Sequence, residues 1–150
     1  FEPYDLSTEL IVQGIPLYST SIISLEISSG GSVSIGSLSF GSLYKLGNTT
    51  YGSSVGIRDY SIKETDAFGN ASFVQRPFSR RGSFNLDVHK GDLNKVSKIL
   101  EEIRTTPVVW VATDEDDYQF STIYGYYKDY NIEITHPSYS VCSLEIEGLI

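Results

Sequence analysis

The sequence predicts a mainly β (α+β) fold, an antiparallel β-sandwich or barrel-like sheets of about nine or ten strands with one amphipathic helix, about Asp92–Thr105, packed on it. Short runs in which apolar and polar residues alternate point to half-buried strands. A single segment repeats its apolar residues at helical spacing. Clusters of glycine, serine, asparagine and proline separate the runs, as turns do. With 150 residues, 40% of them apolar and 20% charged, the chain has enough material for one hydrophobic core and too little polarity for wholesale disorder. Residues 1–150 are therefore read as a single β-rich domain, with residues 1–45 a candidate N-terminal subregion.

From the N-terminus, Leu6–Ile27 mixes β-branched and apolar residues around a break at Gly14-Ile15-Pro16, which predicts two short strands. Ile23, Leu25 and Ile27 alternate with Ser24, Glu26 and Ser28, the pattern of a half-buried strand. Ser29-Gly30-Gly31-Ser32 supplies a turn into a second alternating run through Val33, Ile35, Leu38, Phe40 and Leu43, so a hairpin is expected. Gly47–Gly56 is dense in turn formers and reads as a long surface loop. Two strands follow, Ile57–Thr65 and Ala71–Phe78, joined by Asp66-Ala67-Phe68-Gly69-Asn70.

Ser83–His89 alternates cleanly, with Phe84, Leu86 and Val88 on one face. Asp92 stands where it can cap a helix whose stripe is Leu93, Val96, Ile99, Leu100 and Ile103, and Pro107 requires that helix to end near Thr105. Val108–Ala112 is continuously apolar, which predicts a strand buried on both faces and a buried Trp110, the only tryptophan. After a turn at Asp114–Asp117, strands are expected at Phe120–Tyr130, Asn131–Thr135 and Tyr139–Ile146, with His136-Pro137-Ser138 as the last bend.

A formal net charge of −8 and a pI near 4.6 repel phosphate backbones and anionic membranes, so nucleic acid is not an expected partner. The one basic cluster, Arg76, Arg80 and Arg81, has the ordinary reading of a solvated strand edge. Cys142, the only cysteine, cannot form an internal disulfide and is expected to pack as a small hydrophobe. No run of about 18 apolar residues is present, and no membrane insertion is expected. Methionine is absent and the chain begins Phe1-Glu2-Pro3, which predicts a fragment of a larger protein.

Little in the sequence points to chemistry. Asp114-Glu115-Asp116-Asp117 could supply oxygens to calcium, but the run lacks the glycine of a calcium loop, so a solvated turn is the expectation and no metal or other cofactor is assigned. His89 and His136 have no nucleophile elbow or zinc spacing around them, and no catalytic residue is assigned. Tyrosine is in excess, at eleven residues, with Tyr118, Tyr124, Tyr126, Tyr127, Tyr130 and Tyr139 crowded together. They suit a protein interface, a sheet filler or a sugar-stacking platform.

From Asp59 onward the order is a charged hairpin, a strand ending Leu86-Asp87-Val88, an amphipathic helix, Pro107-Val108-Val109-Trp110-Val111, the aromatic strand Ile123-Tyr124-Gly125-Tyr126-Tyr127, and Cys142-Ser143-Leu144-Glu145-Ile146-Glu147-Gly148-Leu149. This order resembles structural proteins of long-tailed bacteriophage tail tips, distal-tail-like proteins above all. The stretch Tyr51–Ser61 with Lys63–Asn70 is also similar to prophage tail-region proteins, and the two resemblances together cover about 100 residues. They imply a non-enzymatic domain of the virion tail, assembled in the bacterial host cytoplasm, that forms a homo-oligomeric ring and contacts other phage tail proteins. They transfer no functional residues.

A long hairpin can reach a neighbour and add strands to its sheet, so Lys63, Glu64, Asp66, Phe68 and Phe73 are the candidate subunit-contact residues. The alternative from another class is a carbohydrate-binding β-sandwich module that stacks sugars on Trp110 or the tyrosines.

Overall fold

The computed structural model describes residues 10–16, 18–113 and 116–149. The chain divides into two units, Phe1–Leu38 and Ser39–Ile150.

In the first unit no described residue belongs to a strand or helix. A turn closes with the amide of Ser21 donating to the Tyr18 carbonyl, and Gly14 adopts φ +72°. The strands expected within Leu6–Ile27 and in the Val33–Leu43 run are not formed among the described residues, and Ile23, Leu25 and Ile27 stay about half exposed. Alternation makes a strand only where a neighbouring edge takes up the backbone groups, and among the described residues no strand pairs with this segment.

The second unit is mainly β, with antiparallel curled sheets and one α-helix among the described residues. Its eight strands are β1 (Asn48–Thr49), β2 (Ser54–Asp59), β3 (Ile62–Thr65), β4 (Ala71–Val74), β5 (Phe78–His89), β6 (Val108–Trp110), β7 (Ile123–Glu133) and β8 (Tyr139–Gly148), with α1 (Leu93–Glu102) between β5 and β6. The main sheet runs β1-β5-β8-β7-β6, and β2 lies beside β5 on the same edge as β1. β3 and β4 pair only with each other.

One face of the main sheet carries the core. Phe84, Leu86 and Val88 of β5, Cys142, Leu144 and Ile146 of β8, Ile123 of β7 and Trp110 of β6 meet Val96 and Leu100 of α1. Each fully buried aliphatic side chain here is worth about 1.5–3 kcal/mol over its exposed state. Leu93 and Ile103 extend the helical stripe against this core, as the spacing predicts. The helix, rather than a second large sheet, forms the opposing layer. Cys142 is fully buried, and burial pushes its thiol pKa up.

The sheet curls until its margins meet. The Thr49 hydroxyl on one edge donates to the Ala112 carbonyl just beyond the other edge, at 2.7 Å. At the far end, Arg80 Nη1 donates to the Thr122 carbonyl at 3.1 Å. Gly125 and Gly148 permit this bend, because a Cβ on either would enter space held by neighbouring strands, and a Cβ on Gly82 would strike the Phe84 ring of its own strand.

Several boundaries depart from the sequence reading, each for a local reason. The Gly47–Gly56 loop instead contains β1 and the start of β2, separated by a two-residue excess over β5. There the Ser53 hydroxyl stands in for a ladder carbonyl, accepting from the Asn85 amide at 3.1 Å while donating to the Thr50 carbonyl at 2.9 Å. The single strand expected over Ile57–Thr65 breaks at Tyr60-Ser61, where Asp59 accepts from both the amide and the hydroxyl of Ser61. Ala71–Phe78 breaks before Pro77, which has no amide to donate.

Asp92 occupies the N-cap of α1 but makes no side-chain capping bond; its backbone is helical, and its amide turns back to the His89 carbonyl. The helix ends at Glu102, short of Thr105, which adopts φ +65° as the chain turns. β6 stops at Trp110 and, as an edge strand, leaves Val109 exposed, so only Trp110 is buried there. Asp114 and Glu115, the first half of the expected acidic turn, lie outside the described residues, and Asp116–Ser121 forms 3-10 turns kinked at Tyr118 where the strand from Phe120 is expected.

β7 is one strand, not two, because a bulge at Lys128 shifts its register against β8. Before the bulge Tyr127 faces the core, and after it Tyr130 and Ile132 do.

Candidate functional site

The five candidate contact residues all fall on the β3–β4 hairpin, which stands apart from the main sheet. Lys63 and Phe73 are cross-strand partners and therefore share a face. The Lys63 ammonium lies 5.5 Å over the Phe73 ring. Glu64, one residue on, faces the other side opposite Ser72. Phe68 caps the tip, 91% exposed, and Phe73 is 74% exposed.

Asp66 builds the turn that presents Phe68. Its carboxylate accepts from the amides of Phe68 and Asn70 at 2.9 and 2.8 Å, and from Asn70 Nδ2 at 2.9 Å. Gly69 supplies the left-handed residue, at φ +85°, and donates to the Asp66 carbonyl. The hydrogen bonds from Asn70, side chain first, hold the Asp66 carboxyl below the ordinary carboxylate range. Asp66 is thus occupied within the turn, while Phe68 and Phe73 offer free apolar surface.

The root of the hairpin is pinned by residues that sequence reasoning missed. Glu147 of β8 sits on the face of the sheet away from α1, with its side chain only 14% exposed. Lys128 Nζ lies 3.1 Å and Arg58 Nη1 3.6 Å from its oxygens. The Tyr60 hydroxyl, immediately before β3, donates to it at 3.4 Å and lies 3.2 Å from the Ser79 hydroxyl. Arg58 also lies 5.6 Å over the Tyr60 ring. The Lys128 hydrogen bond, then the Lys128 and Arg58 charges, hold the Glu147 carboxyl below its ordinary range. Alternation places Glu145 and Glu147 on an outer row, but only the β2-β5-β8-β7 pairing brings Arg58 and Lys128 to the same carboxylate. A groove of about 340 Å³ runs beside this cluster, lined by Gly56, Arg58, Arg81, Lys128, Glu145 and Glu147 among others.

Each histidine is engaged in its own turn. His89 Nδ1 accepts from the Gly91 amide, and His136 Nδ1 from the Ser138 amide, each at 3.2 Å. His136 stacks on Tyr139 with ring centroids 4.7 Å apart. Among the described residues no three His, Cys, Asp or Glu side chains gather in a way that could hold a metal ion. No helix among them is long and apolar enough to cross a membrane.

The tyrosines divide by role. Tyr127 and Tyr130 pack against the core, their rings 5.7 Å apart and edge to face, and Trp110 meets Tyr127 in the same manner at 6.3 Å. The Trp110 indole N–H donates to the Gly125 carbonyl at 3.0 Å inside the core. Tyr118, Tyr124 and Tyr139 remain exposed. No family model matches the sequence, and no curated protein is detectably similar to it.

Proposed function

We propose that this chain is a non-enzymatic structural domain of a phage tail or tail tip, which builds a homo-oligomeric ring and meets neighbouring tail proteins through the β3–β4 hairpin. One observation carries the proposal: a two-stranded arm with a pinned root displays Phe68 and Phe73 to solvent. Two exposed aromatic rings on one hairpin, Phe68 at its turn and Phe73 on β4, are the kind of side chain that anchors an interface. The resemblance in element order from Asp59 onward supplies the tail setting. The sugar-binding alternative would rest on the exposed tyrosines, because Trp110 is buried and hydrogen-bonded.

The double substitution Phe68→Ser, Phe73→Ser tests the reading. Trp110 fluorescence should be unchanged, since neither residue touches the core cluster, while the assembled mass in multi-angle light scattering should fall toward that of one chain. An unchanged mass would reject the hairpin as the contact. Tape-measure or tail-tube genes flanking the gene would support the tail setting directly, and binding on a glycan array would favour the sugar reading instead.

A further inference from the structure

We infer that Ile22–Ser28 is a donor strand for the outer edge of β2 in a second copy of this chain. The inference rests on the assembly reading above and names how copies pair. Ile23, Leu25 and Ile27 alternate strictly with Ser24, Glu26 and Ser28, yet in the single chain the segment joins no ladder and these apolar side chains are 55%, 51% and 47% exposed. A two-residue apolar period is useful only on a sheet.

The matching edge exists. Among the described residues β5 is the only ladder neighbour of β2, whose other side is an open edge over Ser54–Asp59. Six paired residues span about 20 Å, which the seven residues of the donor cover.

Chemistry selects the register. With the donor antiparallel and Leu25 opposite Ile57, Ile27 falls opposite Val55, which packs against the core. The donor's apolar row then continues the core face of the sheet and covers Ile57, itself exposed in the single chain. The same register sets Glu26 opposite Gly56 on the other face. Gly56 pairs with Arg81 of β5 and has no side chain to intervene. Glu26 and Arg81 thus stand two strands apart, about 10 Å at the backbone, a gap that these two long side chains bridge. Donor and acceptor are different segments of the chain, so the contact between copies is head-to-tail and closes as a ring when the rotation allows.

Hydrogen exchange on the full chain, below and above its association concentration, tests this together with charge exchange at the contact. Amides of residues 22–28 and 55–59 should exchange roughly tenfold or more slowly in the assembled state. Glu26→Arg and Arg81→Glu should each weaken association by about fivefold, the effect of one solvent-edge ion pair, and the double exchange should restore most of it. Assembly that leaves residues 22–28 as open as in the dilute chain, with no rescue by the double exchange, overturns the pairing but not the assembly reading. Full protection of 22–28 in the dilute monomer also overturns it, since the segment then pairs within its own chain. A chain that does not associate at any concentration overturns both.

Discussion

Tyr127 donates its hydroxyl proton to the carbonyl of Leu100 at 2.8 Å, so a strand side chain satisfies one of the acceptors that α1 leaves open in its last turn. The ring carries equal weight, wedged edge to face between Trp110 and Tyr130. Tyr127→Phe keeps the ring and removes only the hydrogen bond, and should cost about 1–2 kcal/mol. The urea midpoint should fall at constant slope. An unchanged midpoint would mean that water replaces the hydroxyl without loss. Burial, then the neighbouring Tyr130, raises the Tyr127 pKa above its ordinary 10.0. The fold therefore favours the neutral phenol: that contribution is complete below pH 10 and is lost as pH rises through the folded value, so wild type should destabilise more steeply than Tyr127→Phe in alkali.

Gly125→Ala should be among the most damaging single-methyl changes in the chain. Its Cβ would be driven into the Glu147 carbonyl and to 2.6 Å from Gly148 Cα, and backbone cannot rotate away as a side chain can. The cost should be about 3 kcal/mol or more, at the upper end for overpacking. Gly36→Ala, with nothing within 4 Å of the added atom, is the matched control and should leave the melting temperature nearly unchanged. Equal melting of the two variants would contradict the close approach of β7 and β8.

Ser53→Ala leaves the Asn85 amide without its acceptor and the Thr50 carbonyl without its donor. The part-buried pair should cost about 1–2 kcal/mol. Because the damage is confined to the junction of β1 and β2, amide exchange should accelerate at Thr50 and Asn85 but not at Leu144 in β8. Uniform acceleration would instead indicate that this junction is essential to the whole sheet.

What could be read from the sequence was decided by whether one face of an element is buried by its own chain. β5, β8 and the stripe of α1 each bury one face, so alternation and helical spacing located Phe84, Leu86, Val88, Val96 and Leu100 correctly. Residues 22–28 carry an equally clear alternation, but among the described residues they join no ladder, and the pattern alone cannot report that. The continuity of β7 is not legible from the sequence, because its bulge shifts the two-residue period between Tyr127 and Tyr130 while keeping both rings on the core. The hairpin that displays Phe68 was legible from Asp66, Gly69 and Asn70, since side-chain turns are local. The Glu147 cluster was not, because its members stand on three strands whose pairing the sequence does not encode locally.

Glu147→Gln separates the charge of that cluster from its shape. The folded-state pKa of Glu147 is depressed below its ordinary 4.5, so the ionised form is the one the fold stabilises. That contribution is complete above pH 4.5 and is lost as pH falls through the depressed value. Arg58 and Lys128 are about half exposed, and solvent screens both pairs. The substitution should therefore cost only about 1 kcal/mol at neutral pH. In urea titrations across a pH series the two proteins should differ at neutral pH and converge in acid, once Glu147 is protonated in wild type. Added salt should shrink the neutral-pH gap as well, because the partners are at the surface. Since the same carboxylate accepts from Tyr60 at the root of the arm, the variant should also speed amide exchange at Ser61. A gap that stays constant from neutral pH to strong acid would show that Glu147 acts by packing alone, and the arm would then be anchored by something other than charge.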